Sequence, residues 1–117
     1  MLIEDEANIA EAIRFLLERQ GWAVSHCTDG TSAIAAVTAF HPDILILDVM
    51  LPGRSGYEIL DELRNETRFS NLPILILSAR GQETERSAAL ARGANMFMTK
   101  PFANAELLDA VRQLARN

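Results

Sequence analysis

The feature that most constrains the fold is an uninterrupted run of four large apolar residues, 44–47, that ends at Asp48. A strand with one wet face alternates apolar and polar residues, whereas a continuous apolar run is typical of a parallel strand buried on both faces. Such a strand needs helices above and below the sheet. The run therefore predicts an α/β fold.

The rest of the chain alternates in the way that such a fold requires. Short apolar segments predict further strands at residues 2–3, 22–27, 74–77 and 96–99. A stripe of Ile9, Ile13, Leu16 and Leu17 that ends before Gly21 predicts the first helix, and similar patterns predict helices over 33–40, 57–64, 82–92 and 104–115. We expect a flavodoxin-like (βα)5 domain over residues 1–117, with a doubly wound parallel five-stranded sheet in order 2-1-3-4-5 between two helical layers.

Composition excludes several classes of protein. The 117 residues suffice for one domain, and the net charge of −5 argues against direct nucleic-acid binding. No apolar run approaches the length of a membrane span, and the N-terminus lacks the pattern of a signal peptide. The single cysteine, Cys27, forms no internal disulfide, which favours a cytoplasmic location.

Polar residues follow the predicted strands where each strand ends. Glu4 and Asp5 follow the first strand, Asp48 the third, Ser78 the fourth and Lys100 the fifth; Lys100 is also the only lysine. Ligands of open parallel sheets bind beyond the carboxyl ends of the strands. We therefore expect three carboxylates to converge there, flanked by one hydroxyl and one ammonium.

This combination of groups favours phosphoryl chemistry. Converging carboxylates repel each other, and a divalent cation relieves the repulsion. All-oxygen ligands suit Mg²⁺. A carboxylate beside Mg²⁺ and a lysine can attack phosphorus and form an acyl phosphate.

Five short motifs, each at a predicted strand end or in the adjoining loop, make the chain resemble the receiver domain of bacterial two-component response regulators. They are Ile3-Glu4-Asp5-Glu6, Leu47-Asp48-Val49-Met50-Leu51-Pro52-Gly53, Ser78-Ala79-Arg80, Gly93-Ala94 and Thr99-Lys100-Pro101-Phe102. The resemblance covers essentially the whole chain.

The resemblance implies a role for each acidic residue of the site. Asp48 would be the phosphoacceptor. Asp5 and Asp48 would bind Mg²⁺, or Mn²⁺ in its place, together with the backbone carbonyl of Met50. Glu4 would act on the metal through water, from its outer shell.

The resemblance also implies roles beyond the metal. Ser78 would bind a phosphoryl oxygen, and Lys100 would pair with Asp48 before phosphorylation and with the phosphoryl group after it. Phe97 would be the switch aromatic that turns inward on activation, although a plain core aromatic fits the same position. Lys100 would precede a cis peptide bond to Pro101, and the side chains of Met50 and Arg80 would influence dephosphorylation.

The implied partners are a sensor histidine kinase or a histidine phosphotransfer protein, and an output partner or fused effector domain. A homodimer through the fourth helix, fifth strand and fifth helix is a further possibility. On this reading the chain is a switch that catalyses only its own phosphorylation and dephosphorylation.

Three departures from the family pattern keep other readings open. The first strand is very short, Asn95 and Met96 stand where relatives often carry acids, and Ala103 stands where relatives often have a helix cap, so that Asn104 would cap instead. A receiver fold used only for docking is one alternative. A phosphatase of the haloacid dehalogenase kind is another. Two features of this chain argue against it: the early acids, Glu4 and Asp5, are adjacent, and a cap domain is missing.

Overall fold

A five-stranded parallel sheet forms the centre of the molecule, as the apolar runs predicted. The computed structural model describes residues 1–116. Its strands are β1 (Leu2–Ile3), β2 (His26–Cys27), β3 (Leu45–Asp48), β4 (Ile74–Ser78) and β5 (Met96–Thr99). All neighbouring strands are parallel, in the order β2-β1-β3-β4-β5. The predicted flavodoxin-like topology is confirmed.

Five helices alternate with the strands at positions close to those predicted. They are α1 (Ala7–Arg19), α2 (Ala33–Phe40), α3 (Gly56–Asn65), α4 (Glu83–Ala91) and α5 (Asn104–Ala115). A single 3₁₀ turn at Thr67–Phe69 was not anticipated. None of the helices within residues 1–116 combines the length and the apolar character needed to cross a membrane.

The core consists of two apolar clusters, one on each face of the sheet. Alternate residues of a strand point to opposite faces, so Leu45 and Leu47 of β3 join one cluster and Ile46 joins the other. The first cluster includes residues of α2, α3 and α4, and the second includes residues of α1 and α5. The result is the expected three-layer arrangement.

The second strand is much shorter than predicted. Only His26 and Cys27 pair with β1, and the prediction of a strand over 22–27 was too long. Because β1 itself has two residues, it offers β2 few backbone partners. Two flanking bonds run from the Leu2 amide to the Ser25 carbonyl and from the Glu4 amide to the Cys27 carbonyl. Trp22 instead packs, half-buried, against the cluster beneath α1 and α5.

The start of α5 also differs from expectation. Ala103 occupies the N-cap position with extended backbone, and Asn104 is the first helical residue, so the prediction that Asn104 caps the helix was wrong. The Ala103 amide donates instead to Glu106 Oε1 at 3.1 Å. A helix can begin without a polar cap residue because a glutamate in its first turn satisfies one of the free amides.

Gly56, the first residue of α3, allows the helix to approach the end of β3 closely. A Cβ atom at this position would lie 2.2 Å from the Asp48 carbonyl oxygen and 2.9 Å from the Val49 Cα. Neither neighbour can rotate away, since both are backbone atoms. The position is therefore closed to any larger residue.

We predict that Gly56→Ala lowers the free energy of unfolding by about 1–3 kcal/mol, the usual cost of overpacking. Helix propensity alone predicts the opposite sign, because alanine exceeds glycine by about 1 kcal/mol in a helix interior. Urea unfolding followed by circular dichroism measures the difference. The exposed helical exchange Ala12→Gly is the control and should follow propensity; a stabilised Gly56→Ala would contradict the close approach.

Candidate functional site

Three carboxylates converge beyond the carboxyl ends of β1 and β3, as predicted. Asp48 is the last residue of β3, and Glu4 and Asp5 follow β1 directly. The two strands lie side by side, with Ile3 opposite Leu47. One carboxylate oxygen from each acid lies within 4.8 Å of the others. Glu4 and Asp48 are 0% and 1% exposed, whereas Asp5 is exposed.

The predicted ammonium lies between these acids. Lys100 Nζ is 2.8 Å from Glu4 Oε1, 3.2 Å from Asp48 Oδ1 and 3.7 Å from Glu6 Oε1. Its backbone amide donates to the Ser78 carbonyl at 2.8 Å, which fixes the start of the β5–α5 loop against β4. The ammonium therefore bridges the strand ends of β1 and β3.

The burial of these charges alters two pKa values. Burial raises the pKa of Glu4, and the Asp48 carboxylate adds to the effect, although Lys100 and the Glu6 amide oppose it. For Lys100, burial acts to lower the pKa, but the hydrogen bond to Glu4 and the Asp48 charge outweigh it, so the pKa is raised. Lys100 is thus held firmly in its charged form.

Glu4 has a contact that sequence reasoning missed. Its Oε1 faces Lys100, and its Oε2 accepts the Glu6 amide at 3.1 Å at the start of α1. The Glu4 backbone is fixed as well, since its amide donates to the Cys27 carbonyl and its carbonyl lies 2.8 Å from His26 Nε2. Two features of the sequence could have indicated this contact: Lys100 is the only lysine, and Glu4 has a longer side chain than its neighbour Asp5.

The oxygens of Asp48 fit a metal ligand. Both are buried, and among residues 1–116 neither accepts a hydrogen bond. A buried carboxylate without donors is costly unless a cation is close. Lys100 faces one oxygen, and a cation held also by exposed Asp5 would satisfy the remaining charge. An all-oxygen carboxylate donor set of this kind suits Mg²⁺.

The remaining predicted residues lie around this acidic pocket. Ser78 ends β4, is buried, and its Oγ accepts the Arg80 amide at 3.0 Å. Met50 lies two residues after Asp48 with a 67% exposed side chain. Phe97 is 8% exposed and lies in the same apolar cluster as Ala89 of α4, so its ring is inward in this structure. The Lys100–Pro101 peptide bond is cis, as the resemblance implied.

Comparison with known proteins identifies the family. The sequence profile described as the response regulator receiver domain matches residues 1–112. The chain belongs to this family. Phosphate regulon transcriptional regulatory protein PhoB of Rhizobium meliloti is 40% identical over 115 residues, which are 98% of this chain and 51% of that protein. PhoB of Escherichia coli is 36% identical over 116 residues, which are 99% of this chain and 51% of that protein.

Solved receiver domains share the fold closely. The receiver domain of NtrX from Brucella abortus has a TM-score of 0.90 at 27% identity, covering 99% of this chain and 97% of its own. The BeF₃-activated N-terminal receiver domain of RstA from Klebsiella pneumoniae has a TM-score of 0.92 at 26% identity, covering 99% and 97%. The chain spans about half the length of the curated relatives that it matches.

We predict that Asp48→Asn raises the free energy of unfolding, measured in EDTA, by about 1–3 kcal/mol, a range typical for relief of a poorly satisfied buried group. The substitution keeps the shape of the side chain and removes one of the clustered negative charges. Urea unfolding measures the change, with Asp109→Asn on the exposed face of α5 as a matched loss of charge.

The same variants test the metal. Saturating Mg²⁺ should raise the Tm of the native receiver domain and of Asp109→Asn, because a ligand that binds only the folded state stabilises it. It should raise the Tm of Asp48→Asn much less. An equal response in all three proteins would contradict Asp48 as a ligand.

Proposed function

We propose that this receiver domain accepts a phosphoryl group on Asp48 and acts as a phosphorylation-controlled switch. The observation that carries the proposal is the environment of Asp48: among residues 1–116, this buried carboxylate lies 3.2 Å from the half-buried Lys100 ammonium and beside two further acids. Structural ion pairs on a protein surface need none of these features. A carboxylate that is to accept a phosphoryl group is helped by an ammonium close by and by further acids that can hold a cation, because both offset charge on the transferred oxygens.

Asp5 and Asp48 would hold Mg²⁺, with the backbone carbonyl of Met50, and Glu4 would act through water. The same oxygen donors would accept Mn²⁺. When bound, the cation would offset negative charge on the transferred phosphoryl oxygens. Glu4 has a second task in this proposal, which is to hold Lys100 in place through the contact at 2.8 Å.

In the transfer step, an Asp48 carboxylate oxygen attacks phosphorus on a phosphohistidine. The bond from phosphorus to the histidine nitrogen breaks, and the nitrogen keeps the electron pair. Lys100, 3.2 Å from Asp48 before the transfer, would pair with the phosphoryl group after it and offset the negative charge on the phosphoryl oxygens. The Ser78 hydroxyl would donate to a phosphoryl oxygen; its Oγ already accepts the Arg80 amide, which leaves its proton free to donate.

Phosphorylation would then shift an existing equilibrium of α4, β5 and α5. Movement of Ser78 toward the phosphoryl group would be coupled to the inward position of Phe97, which lies in the cluster that includes Ala89 of α4. Met50 and Arg80, each two residues beyond a site residue, would influence the rate at which water removes the phosphoryl group.

The proposal includes partners. A sensor histidine kinase or a histidine phosphotransfer protein would supply the phosphoryl group, and an output partner or fused effector domain would read the switch. The similar PhoB proteins are transcriptional regulators, and the chain matches half of each. Nucleic-acid binding would then belong to the output and not to this domain. A homodimer through α4, β5 and α5, and a cytoplasmic location, stay predictions.

We predict that incubation with Mg²⁺ and acetyl phosphate adds one phosphoryl group to the protein, observed by intact mass. The gain should be lost in Asp48→Asn and in EDTA, because the nucleophile or the metal is then missing. Asp109→Asn, which removes an exposed carboxylate, should be phosphorylated normally. A folded protein that gains no phosphoryl group would contradict the proposal and favour a docking module.

A second prediction separates the switch from an enzyme. The domain should release at most one equivalent of phosphate per phosphoryl group that it accepts, with no steady turnover of p-nitrophenyl phosphate. The reason is that the residues proposed to act, Asp48, Lys100 and Ser78, contact only the phosphoryl group and none of them is assigned to the alcohol portion of an ester. Continuous release of p-nitrophenol, abolished in Asp48→Asn, would instead indicate a phosphatase of the haloacid dehalogenase kind.

A further inference from the structure

A network of side chains outside the acidic pocket connects α3 with α4. Tyr57 Oη donates to Glu85 Oε2 at 2.7 Å. The Arg92 guanidinium lies 4.8 Å from the centroid of the Tyr57 ring and pairs with Asp61 at 2.8 Å. Two residues of α3 are thus joined to α4 and to the residue that ends it.

The network continues from α4 to the pocket. The second carboxylate oxygen of Glu85, Oε1, lies 3.9 Å from Arg80 Nη1. The backbone amide of Arg80 in turn donates to Ser78 Oγ at 3.0 Å. A continuous path of contacts therefore runs from Tyr57 through Glu85 and Arg80 to the hydroxyl proposed to bind the phosphoryl group.

The two helices differ in how firmly the core holds them. Helix α3 buries Gly56, Ile59, Leu60 and Leu63, whereas α4 buries Ala89 alone. Because apolar burial holds α4 weakly, polar contacts have an unusually large part in its position. Helix α3 is therefore packed more firmly than α4 and offers the surface to which these polar contacts attach α4.

The strongest contact in the path is the one between Tyr57 and Glu85. A hydrogen bond to a carboxylate is charge-assisted and stronger than a neutral one. Burial and the Glu85 carboxylate raise the pKa of Tyr57 to about 12, so the phenol keeps its proton at any physiological pH. The Arg80 side chain is 75% exposed, so its ion pair with Glu85 is weak.

We propose that Tyr57 and Glu85 form a clamp that holds the N-terminal end of α4 and the β4–α4 loop, and thereby prolongs the lifetime of the phosphoryl group on Asp48. Both are positioning residues, since neither touches the reacting atoms. With the clamp closed, Arg80 and Ser78 stay in place beside the pocket and limit the approach of water. The effect on lifetime rests on the proposed function, whereas the effect on α4 does not.

Hydrogen exchange of the unphosphorylated protein tests the clamp directly. Tyr57→Phe removes only the hydroxyl and keeps the ring beneath Arg92, so the fold should be retained. We expect amides in the segment 80–91 to exchange at least about fivefold faster, which is the lower end of typical coupling energies between sites. The matched control is Glu18→Gln, which removes one carboxylate from an exposed ion pair on α1. Exchange no faster than in the control would overturn the clamp.

Phosphoryl lifetime tests the functional part. After loading with acetyl phosphate and removal of the donor, Tyr57→Phe and Glu85→Gln should each lose the phosphoryl group about fivefold faster than the native protein. The double variant should be no faster than Glu85→Gln alone, because Glu85→Gln already breaks the contact with Tyr57 as well as the ion pair with Arg80. Asp61→Asn, which removes the partner of Arg92 and leaves the Tyr57–Glu85 contact intact, should keep the native lifetime.

The outcomes separate the clamp from the proposed function. Faster exchange with an unchanged lifetime would overturn the proposal that the clamp protects the phosphoryl group. Additive effects in the double variant would overturn a shared contact. If the native protein itself accepts no phosphoryl group, the proposed function fails and the effect on lifetime falls with it, while exchange still decides whether the clamp fixes α4.

Discussion

The site depends on a single ammonium group. Lys100 Nζ contacts two carboxylates that are withdrawn from solvent, Glu4 and Asp48. Removal of this ammonium would leave both buried charges without their cation, a change that typically costs about 3–5 kcal/mol. Three strand ends must meet for this contact to form, one from each of β1, β3 and β5. The sheet order places β1 and β3 side by side, and the turn after β5 returns Lys100 over both. The charge balance of the site therefore depends directly on the order of the strands.

The loops around this site are positioned by close approaches of backbone. The Gly30 amide donates to the Pro52 carbonyl at 2.9 Å, and a Cβ at Gly30 would lie 2.3 Å from the Arg54 carbonyl oxygen. Gly56 meets the Asp48 carbonyl in the same way. The β2–α2 loop thus packs directly on the β3–α3 loop that carries Met50. Such contacts position a loop through its backbone and need no packing of its side chains. The β3–α3 loop can therefore follow a defined path although the Met50 side chain is exposed.

Much of this could be predicted from the sequence, because the deciding signals are local. The apolar run before Asp48 indicated a doubly covered parallel strand, and polar residues at the strand ends indicated where a site would form. What failed depended on partners distant in the chain. The length of β2 is limited because β1 offers it only two residues to pair with. The start of α5 is fixed by Glu106, which accepts the Ala103 amide, and not by a cap at Asn104. The contact of Glu4 with Lys100 and that of Tyr57 with Glu85 join residues 96 and 28 positions apart, and no pattern of neighbouring residues reports such pairs.

Asn95 connects the segment after α4 to α3 and to β4. Its Oδ1 accepts both the Ile74 amide and Arg64 Nη2, each at 2.9 Å, and Arg64 Nε donates to the Gly93 carbonyl at 2.9 Å. Asn95, although exposed, thus joins α3, β4 and the segment that follows α4. The C-terminal end of α4 is consequently tied to α3 through backbone carbonyls, while its N-terminal end depends on Glu85. With its C-terminal end tied to α3, α4 would pivot when the proposed Tyr57–Glu85 clamp opens, and the end that would then move is the N-terminal end, on the side of Ser78.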